Sequence, residues 1–179
     1  QHLLKLINDI LDLSKIEAGK MELFIEPVNV AEMVKSVTNL TQPLVEKNHN
    51  TLRIICCDDL GNVQTDGTKL RQMLLNLIGN ATKFTKNGII TLRVERQQIT
   101  NKEQIIFCVI DNGIGMSDKQ KNKLFQPFTQ ADSSTTKCYG GTGLGLSITK
   151  LFAEMMGGKI IMSSEVGKGS AFSIYLPID

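Results

Sequence analysis

A run of glycines that leads straight into a helix sets the tightest limit on this chain: GGTGLGL, residues 140–146, overlaps the start of an amphipathic stretch that continues to Met156. Glycines let the backbone turn sharply and come close to a ligand. The amides of such a loop and the first turn of its helix aim several N–H donors at one point, an arrangement suited to polyphosphate. A second pair of glycines follows the β-rich run IIFCVID, where DNGIGM, residues 111–116, puts an acid at a strand end. A carboxylate there can accept a hydrogen bond from an exocyclic amine. No Lys-Ser/Thr pair follows the first loop at P-loop spacing, and no βαβ unit contains it, so it is neither a Walker loop nor a dinucleotide fingerprint. Either loop alone is weak ground for a site.

Periodicity supplies the frame. Leu3, Leu6, Ile10 and Leu13 recur at steps of three and four, with Leu4, Ile7 and Leu11 widening the stripe, which predicts a helix to about residue 18 in need of a helical partner. MELFIEPV, residues 21–28, alternates as a strand would. Asn29 with Glu32 resembles a capping box for a helix to about Lys47, and residues 51–57 form a β-rich run. Asp66 can cap a helix buried through Leu70, Met73, Leu74, Leu77, Ile78 and Ala81. Residues 88–97 and 105–111 predict a hairpin, Ser117 caps a short helix to Phe125, and the stretch 126–143, polar and unpatterned, reads as a lid by its length. A helix from Leu144 to Met156 and strands at 159–164 and 171–176 complete the chain.

The helix capped by Asp66 has two chemistries. At about 100° per residue, Asn76, Asn80 and Lys83 fall within an arc of roughly 60°, opposite the apolar residues. Amide oxygens are neutral ligands suited to Mg²⁺, which keeps several waters and takes its remaining ligands from phosphates. A solvated polar face would read the same way. GKGSAF, residues 167–172, reads by itself as a tight turn, and the aromatics of FQPF, residues 125–128, as plugs at a core edge.

Bulk properties exclude several classes. With 41% hydrophobic and 21% charged residues, the chain is neither a disordered tail nor a membrane span, and no apolar run approaches the ~20 residues a spanning helix needs. A net charge of +2 gives no basic stripe for nucleic acid. Cys56, Cys57, Cys108 and Cys138 form no CxxC pair and suit a reducing compartment, while His2 and His49 offer little to a metal site. Opening on Gln1 within a helix, the sequence reads as a fragment of a longer chain.

Taken in order, NLIGNATKFT, DNGIGM, FQPF, GGTGLGL and GKGSAF are similar to the N, G1, F, G2 and G3 boxes of the sensor histidine kinase ATP-binding domain. LLKLINDILDLSKIEAGKM resembles the end of the dimerisation helix with its linker, so the resemblance covers essentially the whole chain. It implies residues 1–20 as the end of the phosphoacceptor helix and 21–179 as the catalytic domain, with ATP and Mg²⁺ as ligands. The implied architecture is a Bergerat ATP-binding fold, an α/β (α+β) two-layer sandwich whose mixed β-sheet is covered on one face by helices.

The resemblance also implies roles. Asn80 would bind Mg²⁺, with Asn76 beside it and Lys83 near phosphate, and Asp111 would accept from the adenine amino group. Gly113 and Gly115 would admit the base, Phe84 would line the slot, and Ser170 would support the Asp111 end. Thr142, Gly143, Leu144, Gly145 and Leu146 would surround phosphates and adenine at the hinge of the lid, where Lys137 would face the γ-phosphate. Cys138 departs from the basic or polar residue expected in that lid. Implied partners are the dimerisation domain of the same kinase and a response-regulator receiver domain, with a homodimeric parent. The implied setting is cytoplasmic, whether or not the parent is anchored in the inner membrane.

Related gyrase-like, mismatch-repair and chaperone ATPases carry a Glu where this sequence has Asn76. An amide cannot take a proton from attacking water, and general-base catalysis is worth roughly 10² to 10⁴-fold, so hydrolysis should be poor. The phosphoryl group would be held for another nucleophile. His2 precedes Leu3 rather than an acid, and His49 lies in an expected turn, so the acceptor histidine, and with it a catalytic residue, is absent from the sequence. A self-contained ATPase and a docking module without kinase activity are the alternatives.

Overall fold

Three helices begin on the caps that the sequence provides. In the computed structural model, which describes residues 2–57, 59–99, 102–128 and 143–178, Asn29 Oδ1 accepts from Glu32 N at 3.0 Å. Asp66 Oδ1 accepts from Lys69 N at 2.9 Å, and Ser117 exchanges bonds with Gln120 in a full capping box. Each satisfies amides that the first helical turn leaves unpaired.

The elements run α1 (His2–Glu17), β1 (Glu26–Asn29), α2 (Val30–Lys47), β2 (Thr51–Cys56), β3 (Asn62–Thr65), α3 (Gly67–Phe84), β4 (Ile89–Ile99), β5 (Lys102–Asp111), α4 (Asp118–Lys121), α5 (Gly145–Met155), β6 (Lys159–Glu165) and β7 (Gly169–Pro177). Five strands form one mixed sheet in the order β2-β4-β5-β7-β6. Among the described strands only β2 and β4 are parallel, because the chain between them crosses over through β3 and α3. Ile90, Leu92, Val94, Ile105, Phe107, Val109 and Ile174 leave one face of the sheet and join a core with Val37 of α2, Leu70, Leu74 and Ile78 of α3, and Phe152 of α5. Arg93, Glu95, Ser173 and Ile161 lie on the other face. The expected mixed sheet with helices on one face is therefore the observed architecture.

Two strand expectations need correction. The strand expected at 21–28 is confined to Glu26–Asn29, which pairs antiparallel with β3 in a separate two-stranded sheet. Residues 21–25 lack a strand partner; Met21 and Leu23 pack against the core while Phe24 is exposed. The sequence gives little hint of β3, whose four residues offer one core side chain, Val63. In FQPF, Phe125 packs against the core as expected, but Phe128 is exposed with a left-handed φ of 59°.

Helix α1 lies against α3 and α5. Asp12 receives Lys69 Nζ at 3.4 Å and Gln72 Nε2 at 3.1 Å. Leu13 and Ile16 join the core, whereas Leu3, Leu4, Ile7, Ile10 and Leu11 are exposed. Among the described residues no helix is long and apolar enough to cross a membrane.

Candidate functional site

Asp111 ends β5 and is 7% exposed. Its Oδ1 accepts from Gly113 N at 2.9 Å and from Thr85 Oγ1 at 3.4 Å, the latter from the residue that ends α3. Burial pushes its pKa above the ordinary carboxylate range, against the bonds it accepts from Gly113, Ser170 and Thr85. Ser170 is its register partner on β7.

The loop after Asp111 is held close on two sides. A side chain at Gly113 would run into the Phe84 carbonyl and Thr85 Oγ1, and one at Gly115, where φ is +65°, into the Glu165 carbonyl. Ser164 Oγ donates to Gly169 O at 2.9 Å, accepts from Met116 N at 2.9 Å and lies 3.0 Å from Ser170 Oγ. Gly167 N reaches Ile114 O at 2.8 Å. The turn of GKGSAF thus clasps the DNGIGM loop, more than a sequence reading of that turn foretells.

On α3, Asn76, Asn80 and Lys83 are half-buried opposite the core residues Leu70, Leu74 and Ile78, and Phe84, also half-buried, ends the helix. Lys83 Nζ lies 5.0 Å from the Phe84 ring centroid. Asn76 and Asn80 differ in their contacts. Asn76 Nδ2 donates to Thr149 Oγ1 of α5 at 2.9 Å, and a side chain at Gly145 would collide with the Asn76 carboxamide. The carboxamide of Asn80, one turn on, is bonded to none of the described residues. Gly145 and Leu146 open α5, and Leu144, fully buried, precedes them as its cap residue. Gly143 turns the chain into them with a φ of +70°. The start of α5 is thereby set against the polar face of α3, while Asp111 and Gly113 abut the far end of the same helix. Lys137, Cys138, Thr142 and most of the expected lid lie outside the described residues.

Sequence reasoning missed Thr85, Ser164 and Thr149. Thr85 closes NLIGNATKFT, and Thr149 sits four residues after Gly145, hence on the same helical face. Ser164 is visible only once β6 and β7 are paired.

Comparison with known proteins decides the family, since the profile described as "Histidine kinase-, DNA gyrase B-, and HSP90-like ATPase" matches residues 65–179. The chain belongs to that family. It is 41% identical over 99% of its length to the circadian input-output histidine kinase CikA of Synechococcus elongatus, covering 23% of that protein. It is also 41% identical over 99% of its length to the signal transduction histidine-protein kinase BarA of Escherichia coli, covering 20% of it. The chain thus spans a fifth to a quarter of the length of these relatives. Among solved structures, full-length ShkA in complex with AMPPNP superposes with a TM-score of 0.85 at 31% identity, over 98% of this chain and 36% of that one. The nucleotide-free catalytic domain of histidine kinase ThkA superposes with a TM-score of 0.72 at 28% identity, over 88% of this chain and 97% of that one.

Proposed function

We propose that residues 21–179 form the ATP·Mg²⁺-binding catalytic domain of a sensor histidine kinase, and residues 1–20 the end of its dimerisation helix with the linker. The observation that carries this reading is the arrangement around α3: a buried carboxylate and its glycine loop at one end, and the glycine-led start of α5 against the polar face. Asp111 accepts from the purine amino group, Gly113 and Gly115 admit the base, and the amides at 143–146 face the phosphates. The AMPPNP named in the ShkA complex, part of which superposes on nearly the whole of this chain, supports a nucleotide ligand.

The donor set fits a hard cation. Asn80 presents a half-buried carboxamide that bonds to none of the described residues, on the side of α3 that faces the phosphate cradle. Mg²⁺ bound there would neutralise charge spread over the transferring phosphoryl group. Lys83 would add a cation beside it.

The reaction proposed is transfer of the γ-phosphoryl group to a histidine on the dimerisation domain, which this sequence does not contain, and from there to a receiver domain in two-component signalling. The setting is cytoplasmic and the parent a homodimer. Self-contained hydrolysis is disfavoured, because the position that would need a general base is an amide engaged with Thr149.

The test is ATP·Mg²⁺ titration of the wild type, Asn80→Ala and Asp111→Ala, followed by addition of a separate acceptor-helix fragment. The reading expects saturable binding that both substitutions weaken, and phosphate transfer only when the acceptor is supplied. Undiminished binding by Asp111→Ala breaks the site assignment, and rapid ADP production by the chain alone favours the ATPase.

A further inference from the structure

Asn76 belongs to the polar face of α3, yet its carboxamide is spent on α5. Asn76 Nδ2 donates to Thr149 Oγ1 at 2.9 Å, and that hydroxyl donates in turn to Gly145 O at 2.8 Å. The same carboxamide lies so close to Gly145 that any side chain there would overlap it, first at Oδ1. Thr149 is 1% exposed, so water does not replace either bond cheaply. The first turn of α5 is therefore fixed on α3 by two hydrogen bonds in series and one close contact. Asn76 stands one helical turn before Asn80.

We infer that Thr149 and Asn76 are positioning residues that set the spacing between Asn80 on α3 and the amide cradle at the start of α5, and so tune the chain for a triphosphate with its divalent ion. This deepens the nucleotide reading and rests on it. Neither residue touches the ligand in this assignment. Thr149 orients Gly145 through its carbonyl, and Asn76 holds Thr149. A cradle carried on a helix must be held to a few tenths of an ångström against its metal ligand for both to engage one polyphosphate. The purine end has its own supports in Thr85, Ser164 and Ser170, none of which joins this chain of bonds.

That separation gives the test. Thr149→Val keeps the shape and removes the hydroxyl, and Thr149→Ser keeps the hydroxyl. ATP·Mg²⁺ affinity should fall about three- to tenfold in Thr149→Val, the loss expected for one or two net hydrogen bonds. Adenosine, which engages only the Asp111 end, should bind within about twofold of wild type, as remote independent sites do. Thr149→Ser should restore ATP·Mg²⁺ binding. If Thr149→Val does not fold, Thr149→Ala, which removes the same hydroxyl with a smaller side chain, should show the same selective loss. Unchanged ATP·Mg²⁺ affinity in Thr149→Val overturns the inference alone, as does an equal fall for adenosine, which marks general destabilisation. A wild type that binds no ATP·Mg²⁺ overturns the nucleotide reading and this inference with it.

Discussion

Replacing Asp111 by Asn should separate ligand affinity from stability. The carboxylate is 7% exposed and its pKa is raised, with burial outweighing the bonds from Gly113, Ser170 and Thr85. A carboxyl whose folded value lies above its unfolded value adds stability in acid, below about pH 4, and loses that contribution as pH rises through the folded value. At pH 7 the wild type therefore carries a cost that a neutral amide does not. Asn Oδ1 can still accept from Gly113 N, so the variant should melt within about 3 °C of wild type at neutral pH. Its advantage should shrink or reverse on acidification. Binding should respond oppositely, because the amide can present a second donor to the purine amino group where the carboxylate offered an acceptor. Loss of a hydrogen bond to a charged group is worth about 1.5–3 kcal/mol, or roughly tenfold to 150-fold in affinity. Calorimetric titration with ATP·Mg²⁺ and thermal melts from pH 4 to 8 measure both quantities. Full-strength binding, or a large drop in Tm at pH 7 without loss of affinity, would refute the reasoning.

Asn50 joins the end of α3 to the start of β4, donating to Thr85 O at 2.8 Å and accepting from Gly88 N at 2.9 Å. Asn50→Ala should cost about 2–3 kcal/mol in urea unfolding. Gly169→Ala meets both a φ of +100° and the Asp111 carbonyl; it should lose about 2 kcal/mol or more, with ATP affinity falling alongside. Asp12→Ala removes the partner of Lys69 and Gln72; it should cost less than about 1 kcal/mol in global stability, yet speed amide exchange in α1 selectively.

Much of the fold is written in local chemistry. Asn29, Asp66 and Ser117 mark helix starts because each cap acts within three residues of itself. Helix α2 continues past Pro43 as its apolar spacing foretells. The failures are non-local. Residues 21–25 alternate like a strand but find no backbone partner, while β3 has almost no pattern and exists because β1 lies beside it. The site divides in the same way. Asp111 and its glycines are legible, since a strand end and a turn are enough to specify them. The bond from Asn76 to Thr149 is not, because helical periodicity gives the face of α3 that Asn76 occupies but not which element approaches it.

The oxygen of Ser164 ties the loop at Met116 to the β6–β7 hairpin at Gly169 and Ser170, and its one proton and two lone pairs are all used. It works as a rivet between the acid-bearing loop and the last hairpin. In the proposed reading, the base would then rest against a wall fixed to the sheet by that one hydroxyl.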